Sequence, residues 1–176
     1  WGRFYKYYGN GVILFAKKVL NKLNIRKYQM VENYAKIIVQ TFIPNLDGDY
    51  KVLYFGGKYY TLKRLNRKND FRASGSGRLF PVPDNEVEGL LDFAAKVVEE
   101  VDFTVMGLDI GFDGTTYHLL EFQFVHMGPY TLSFSEYYHI WNNGRWEKVM
   151  AKSDLEKEFC RSMDVYIKGL KCDEKQ

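Results

Sequence analysis

Apolar residues recur at a spacing of three to four in some stretches of the chain and at every second position in others, and the two periods divide it into elements. Residues 12 to 23, "VILFAKKVLNKL", set Val12, Phe15, Ala16, Val19, Leu20 and Leu23 at helical spacing with the lysines mostly opposite. The β-branched run "YAKIIVQTFI" predicts a buried strand that ends at Pro44, because proline has no N–H to give a central ladder. "DYKVLYFGGKYYTLKRL" predicts a hairpin: two alternating runs meet at Gly56 and Gly57, the residues that a two-residue turn with positive φ requires. Residues 84 to 101 form the most regular helix, with Val87, Leu90, Leu91, Ala94, Val97, Val98 and Val101 on one face and Asp84 or Asn85 as its cap. "FTVMGLDIGFDGTTYHLLEFQF" then reads as strand, turn, strand. Beyond Gly128 and Pro129 the pattern blurs through a short run around "HIWNNGRWEKV". A last amphipathic helix, about Ser153 to Lys168, carries Leu155, Phe159, Met163 and Ile167 as its stripe.

The register of the two hairpins places charge. Counting outward from Gly56 and Gly57 pairs Phe55 with Lys58 and Asp49 with Arg64, with Lys51 on the same face; an ordinary cross-strand ion pair explains this as well as a binding site does. In the second pair of strands, a turn at Gly114 to Thr116 sets Asp109 opposite Glu121. Gln123 shares their face, while Leu120, Phe122 and Phe124 take the other. Two carboxylates and an amide oxygen side by side suit a hard cation such as Mg²⁺, which would relieve their repulsion; a nearby lysine, arginine or solvent would relieve it too.

Composition narrows the function classes. At 176 residues the chain can bury a core without staples. A formal charge of +3 with dispersed basic residues gives no footprint for nucleic acid. Aromatics reach 17% but are spread along the chain, which suits half-buried strands better than a stacking platform. Cys160 and Cys172 have no metal-type spacing and read as free thiols of a reducing compartment, so a cytoplasmic location is expected. No apolar run approaches the roughly 18 residues of a membrane helix. The chain begins at Trp1 and is expected to be part of a longer product.

The stretch "NDFRASGSGRLF" adds candidate chemistry. Gly75 and Gly77 allow backbone amides to point at an anion, Ser74 and Ser76 add hydroxyls, and Arg72 and Arg78 supply forked guanidiniums. A mobile turn has the same composition, and neither a Walker loop nor a dinucleotide fingerprint is present. His118, His126 and His139 lack zinc-type spacing; His118 is expected to alternate away from Glu121, and His126 either reaches the site or lines a loop. "WNNGRW" reads as a turn with packed tryptophans.

In order, "IIVQTFIP", "GDYKVLYFGGKYYTLKR", "NDFRASGSG", the helix, "GLDIGF" and "LLEFQF" resemble the C-terminal two-thirds of an ATP-grasp protein, over about Ile37 to Pro129. "DFRASGSG" is similar to a bacterial subgroup associated with polysaccharide and cell-surface biosynthesis. The resemblance implies an α+β, ATP-grasp fold of antiparallel sheets flanked by helices and lacking its N-terminal part. Residues 1–44 would be part of a first subdomain and 45–176 a second. It implies ATP and Mg²⁺ or Mn²⁺ as cofactors, with Gln40, Thr41, Phe42 and Ile43 as the hinge at the adenine edge and Leu120 beneath the base. Asp49 would lie near the ribose or hinge, Ser74 in the phosphate loop, and Lys51, Arg64 and Arg72 at phosphates or the acyl phosphate. Asp109, Glu121 and Gln123 fall on the family's metal-ligand positions.

The implied activity is that of a carboxylate–amine or carboxylate–thiol ligase acting through an acyl phosphate. A nucleotide-sensing module without catalysis, or an aromatic carbohydrate or protein interaction domain, are the alternatives. Homo-oligomers are expected from apolar surface left open. The chain departs from the family at Thr41, where an acidic residue is usual, and at Gln123, where asparagine is. The phosphate-binding lysine upstream of the first helix is absent, and Lys17 and Lys18, in a helical pattern, do not replace it.

Overall fold

The computed structural model describes residues 39–70, 73, 75–125, 127–128 and 130–173. The chain divides into two units, Trp1–Thr41 and Phe42–Gln176. The helix expected at 12–23, Arg72, Ser74 and His126 lie outside the described residues. Of the first unit only 39–41 are described.

The second unit is α+β. Seven strands, β1 (Gly48–Phe55), β2 (Lys58–Leu65), β3 (Leu79–Phe80), β4 (Val105–Phe112), β5 (Tyr117–Gln123), β6 (Tyr137–Asn142) and β7 (Arg145–Met150), form one antiparallel sheet. Their order is β5-β4-β1-β2-β6-β7, with the two-residue β3 also on β2. Three helices are described: α1 (Asp84–Val101), α2 (Tyr130–Phe134) and α3 (Leu155–Asp173).

The first hairpin closes as its glycines dictate. Gly56 (φ 43°) and Gly57 (φ 91°) both take positive φ, which a side chain would resist, and every pair from Phe55↔Lys58 to Gly48↔Leu65 is in register. Alternation then gives the sheet two apolar faces. Tyr50, Val52, Tyr59, Met106, Leu108 and Ile110 pack under Leu90, Leu91, Ala94, Val97 and Val98 of α1, each buried apolar side chain contributing roughly 1.5–3 kcal/mol. On the opposite face Leu53, Phe55, Tyr60 and Val105 meet Met127, Leu132 of α2, and Leu155 and Met163 of α3.

Several expectations shift. Residues Val39 to Ile43 enter no ladder of the sheet, and Phe42 is exposed, so the strand expected to run into Pro44 does not extend through these five residues. Strand propensity is realised only where a ladder and a face to bury are available, and Pro44 removes a donor. Helix α1 starts after Pro83 with no side-chain cap; Asp84 lies inside its first turn. The blurred aromatic region is a regular hairpin, β6 and β7, turning at Asn143 (φ 49°) and Gly144 (φ 81°). Helix α3 is capped by Asp154, whose Oδ1 accepts the Lys157 amide at 3.0 Å. Its inward face is partly polar: Glu158 and Ser162 are buried, while Phe159 and Ile167 of the expected stripe are exposed.

Candidate functional site

The charged residues expected at the sheet's end are brought together. Asp49 and Lys51 share a strand face with Leu53 and Phe55, so they extend the second apolar face beyond its hydrophobic cover. Register carries the row across three strands: Lys51 faces Asp109 on β4, and Asp109 faces Glu121 on β5. Lys51 Nζ donates to Asp109 Oδ1 at 2.6 Å. Arg64 forks onto Asp49 through Nε at 2.6 Å and Nη2 at 2.7 Å, and Nη2 also reaches Asp109 Oδ2 at 2.7 Å. All four side chains are largely buried.

Burial is the largest influence on Asp49 and pushes its carboxyl above the ordinary range, with the Arg64 fork pulling the other way. Burial also works against the charge of Arg64, but the contacts with Asp49 and Asp109 outweigh it and hold the guanidinium protonated. Breaking such a group by removing one partner costs about 3–5 kcal/mol.

Glu121 stands apart from this compensation. It is exposed, directly opposite Asp109, and makes no hydrogen bond or ion pair among the described residues. Lys51 and Arg64 balance Asp49 and Asp109, so Glu121 leaves the row one negative charge in excess. Gln123 follows on the same face, opposite Gly107, whose missing side chain leaves room for Met127: a Cβ there would lie 2.7 Å from the Met127 Cβ.

The opposition of Asp109 and Glu121 is reached by an unexpected route. The β4–β5 loop holds four residues, not three, since Phe112 pairs with Tyr117. A bulge between the Asp109 and Ile110 pairs inserts Leu120 and restores the register. Leu120 consequently approaches the position a Gly111 Cβ would take, 3.5 Å away, beside Leu46. The bulge also puts His118 opposite Gly111, on the Asp109 face, contrary to simple alternation. His118 Nε2 is 2.7 Å from Asp113 Oδ2, and Asp113 accepts from the Thr115 and Thr116 amides, which with His118 first hold its carboxyl well below the usual range.

A cleft of about 650 Å³ lies over this row. Lys51, Arg64, Asp109, Glu121 and Gln123 line it, and so do Gly75, Ser76 and Gly77. Gly75 (φ 69°) and Gly77 (φ 70°) flank Ser76, which does not share their positive φ. The Ser76 amide donates back to Ala73 O at 3.0 Å, whereas the amides of Gly75 and Gly77 have no partner among the described residues. Arg78 does not line the cleft: its Nη1 donates to Asn66 O at 3.0 Å, which tethers the loop's exit. Besides Ala73 and Leu79, the remaining wall comprises Met127, Gly128 and the short α2, where Tyr130 (68% exposed) and Phe134 (62%) flank the buried Thr131. Sequence periodicity missed this wall because five helical residues are too few to show a period.

The donor set suits a divalent cation of a particular kind. Among the described residues no group of three or more His, Cys, Asp or Glu could enclose a metal. Mg²⁺ does not ask for such a cage; one or two carboxylates plus phosphate and water oxygens suffice. Glu121 has all its lone pairs open, and Asp109 retains acceptor capacity beside its two cationic bonds. Asp109, Glu121 and Gln123 therefore fit a cation that shares its shell with a bound phosphate.

The other candidates have structural partners. Trp141 and Trp146 meet edge to face at 68°, and Trp146 packs on Tyr59 while donating Nε1 to Asp92 at 2.8 Å, so the pair offers no coplanar platform. Gln40 and Thr41 belong to the first unit, whereas Phe42 and Ile43 belong to the second and lie outside any strand. Cys160 is a free, exposed thiol. No described helix is long and apolar enough to cross a membrane. Compared with protein-family models, with curated proteins and with solved structures, the chain matches none.

Proposed function

We propose that this sheet is the nucleotide- and metal-binding half of an ATP-grasp carboxylate–amine or carboxylate–thiol ligase. The observation that carries the reading is the uncompensated Glu121 carboxylate, set opposite Asp109 in a cleft that Gly75 and Gly77, whose amides have no partner among the described residues, also line. A negative pole beside a glycine-rich loop with unpaired amides suits a nucleoside triphosphate with its cation. Asp109, Glu121 and Gln123 would hold the Mg²⁺, which supplies charge neutralisation of the phosphate oxygens when bound.

In this reading the chain's own groups position and screen. The Gly75 and Gly77 amides receive phosphate oxygens. Lys51 and Arg64, kept rigid by Asp109 and Asp49, fix the positive side of the row. A substrate carboxylate oxygen attacks the γ-phosphorus and ADP leaves; an amine or thiol then attacks the acyl carbon and phosphate departs. No side-chain nucleophile is needed.

Calorimetric titration with ATP and excess Mg²⁺ tests the reading. Mg²⁺-dependent binding that weakens at least tenfold in Glu121→Ala is expected. An unchanged affinity in that variant, or no ATP binding by the folded protein, overturns it.

A further inference from the structure

On the α1 side of the sheet, the face opposite the charged row, a second cavity of about 350 Å³ opens between the start of α1 and the β6–β7 hairpin. Asp84 and Glu88, four apart on the helix, line one side, and His139, Lys148 and Arg145 line the other. His139 and Lys148 are a register pair and so share a strand face. Lys148 Nζ sits 3.9 Å from the centre of the Tyr137 ring. Arg145 Nε and Nη2 both donate to Glu147 Oε1, at 3.2 and 3.1 Å.

Opposite charges meet across this cavity without touching. The side chains of Asp84, Glu88 and Lys148 make no hydrogen bond or ion pair among the described residues. His139 is 5% exposed, and neither ring nitrogen is hydrogen-bonded among the described residues, Nδ1 being wholly buried. Burial first, and Lys148 second, keep its ring neutral at pH 7, with Asp84 opposing them. A neutral imidazole offers one lone pair and one N–H, and a buried one left unpaired is an exception that a ligand would resolve.

From these unpartnered groups we infer, independently of the ligase reading, that the cavity binds a free apolar amino acid, its ammonium at Asp84 and Glu88 beside His139 and its carboxylate at Lys148 and Arg145. A lone anion there would meet the two acids, and a lone cation the lysine and arginine. An uncharged apolar molecule would strip water from all of them. A zwitterion answers each pole with charge-assisted hydrogen bonds, and the volume is that of a small-molecule site. Val87 and Trp146, the apolar residues of the lining, are left for the side chain.

In the test, the full chain is titrated at pH 7 with leucine and with isopentylamine and isocaproate, which each lack one of its two charges. The imidazole nitrogen resonances are followed by NMR. Leucine is expected to move the His139 signals and leave those of His118 in place, and each analogue to bind about tenfold or more weakly. Glu88→Gln and Lys148→Met, both at exposed positions, should each weaken leucine about tenfold, while Glu100→Gln near the far end of α1 should not. Circular dichroism checks that the variants are folded. No leucine binding, an analogue as tight as leucine, unmoved His139 signals, or undiminished affinity in either Glu88→Gln or Lys148→Met would each overturn the amino-acid site.

Discussion

Asp109 and Glu121 face one another across β4 and β5, yet only Asp109 is neutralised: Lys51 holds one of its oxygens and Arg64 the other. Both line the cleft, but only Asp109 also fastens the sheet.

Their substitutions should separate accordingly. Glu121→Gln removes a charge without a partner at an exposed position, and unfolding stability is expected to stay within about 0.5 kcal/mol of the parent. Asp109→Asn leaves Lys51 underpaired and weakens Arg64's second bond, and is expected to cost about 2–4 kcal/mol in urea denaturation. Equal losses in the two variants would refute the division.

Arg64→Met strands Asp49 in a buried position, where its carboxyl already sits above the usual range. A loss of about 3–5 kcal/mol is expected. Asp49→Asn placed on top should recover part of it, because the amide needs no counter-charge. A double-mutant cycle in denaturant measures the coupling.

His139 is 5% exposed on β6, its Nδ1 has no partner among the described residues, and β6 is held to β2 by the single register pair Tyr59↔His139. Burial first, then the nearby Lys148, lowers its pKa to about 4, with Asp84 opposing. The unfolded chain binds this proton from about pH 6.5 downward and the folded one only near pH 4, so stability is full above pH 6.5 and is lost as pH falls toward 4. The loss should be about 2–3 kcal/mol. In His139→Leu this part of the pH dependence should vanish, as read by denaturation midpoints between pH 4 and 7.

Gly107→Ala places a methyl 2.7 Å from the Met127 Cβ. Met127 is buried and lines the charged cleft, so the strain should cost about 1–3 kcal/mol and also alter ligand affinity there. A Gly107→Ala protein of unchanged melting temperature would contradict the close approach.

The sequence was legible where local rules sufficed. Gly56 and Gly57 announced both the turn and its register, and α1 declared its buried face. The Asp109–Glu121 pairing was also anticipated, but through a three-residue loop; the real loop is longer and Leu120 makes up the difference, which no alternation pattern could reveal. The same bulge moved His118 to the other face. Asn143-Gly144 between alternating aromatic runs was a hairpin signal in plain view, hidden because bulky residues occupy both faces of β6 and β7. The polar inner face of α3 could not be read from periodicity, since Glu158 is buried by a partner a hundred residues away.

That partner sets the order in which the molecule can be completed. Lys58 bonds Glu158 at 2.7 Å, and Arg161 donates to the carbonyls of Phe55 and Gly56, so α3 clasps the turn of the first hairpin across sequence separations of 100 to 106 residues. On a ribosome the hairpin emerges long before its clasp. Its strands can pair locally, but the turn's carbonyls and Lys58 await α3, and a chain cut before Asp154 would leave that turn unfastened.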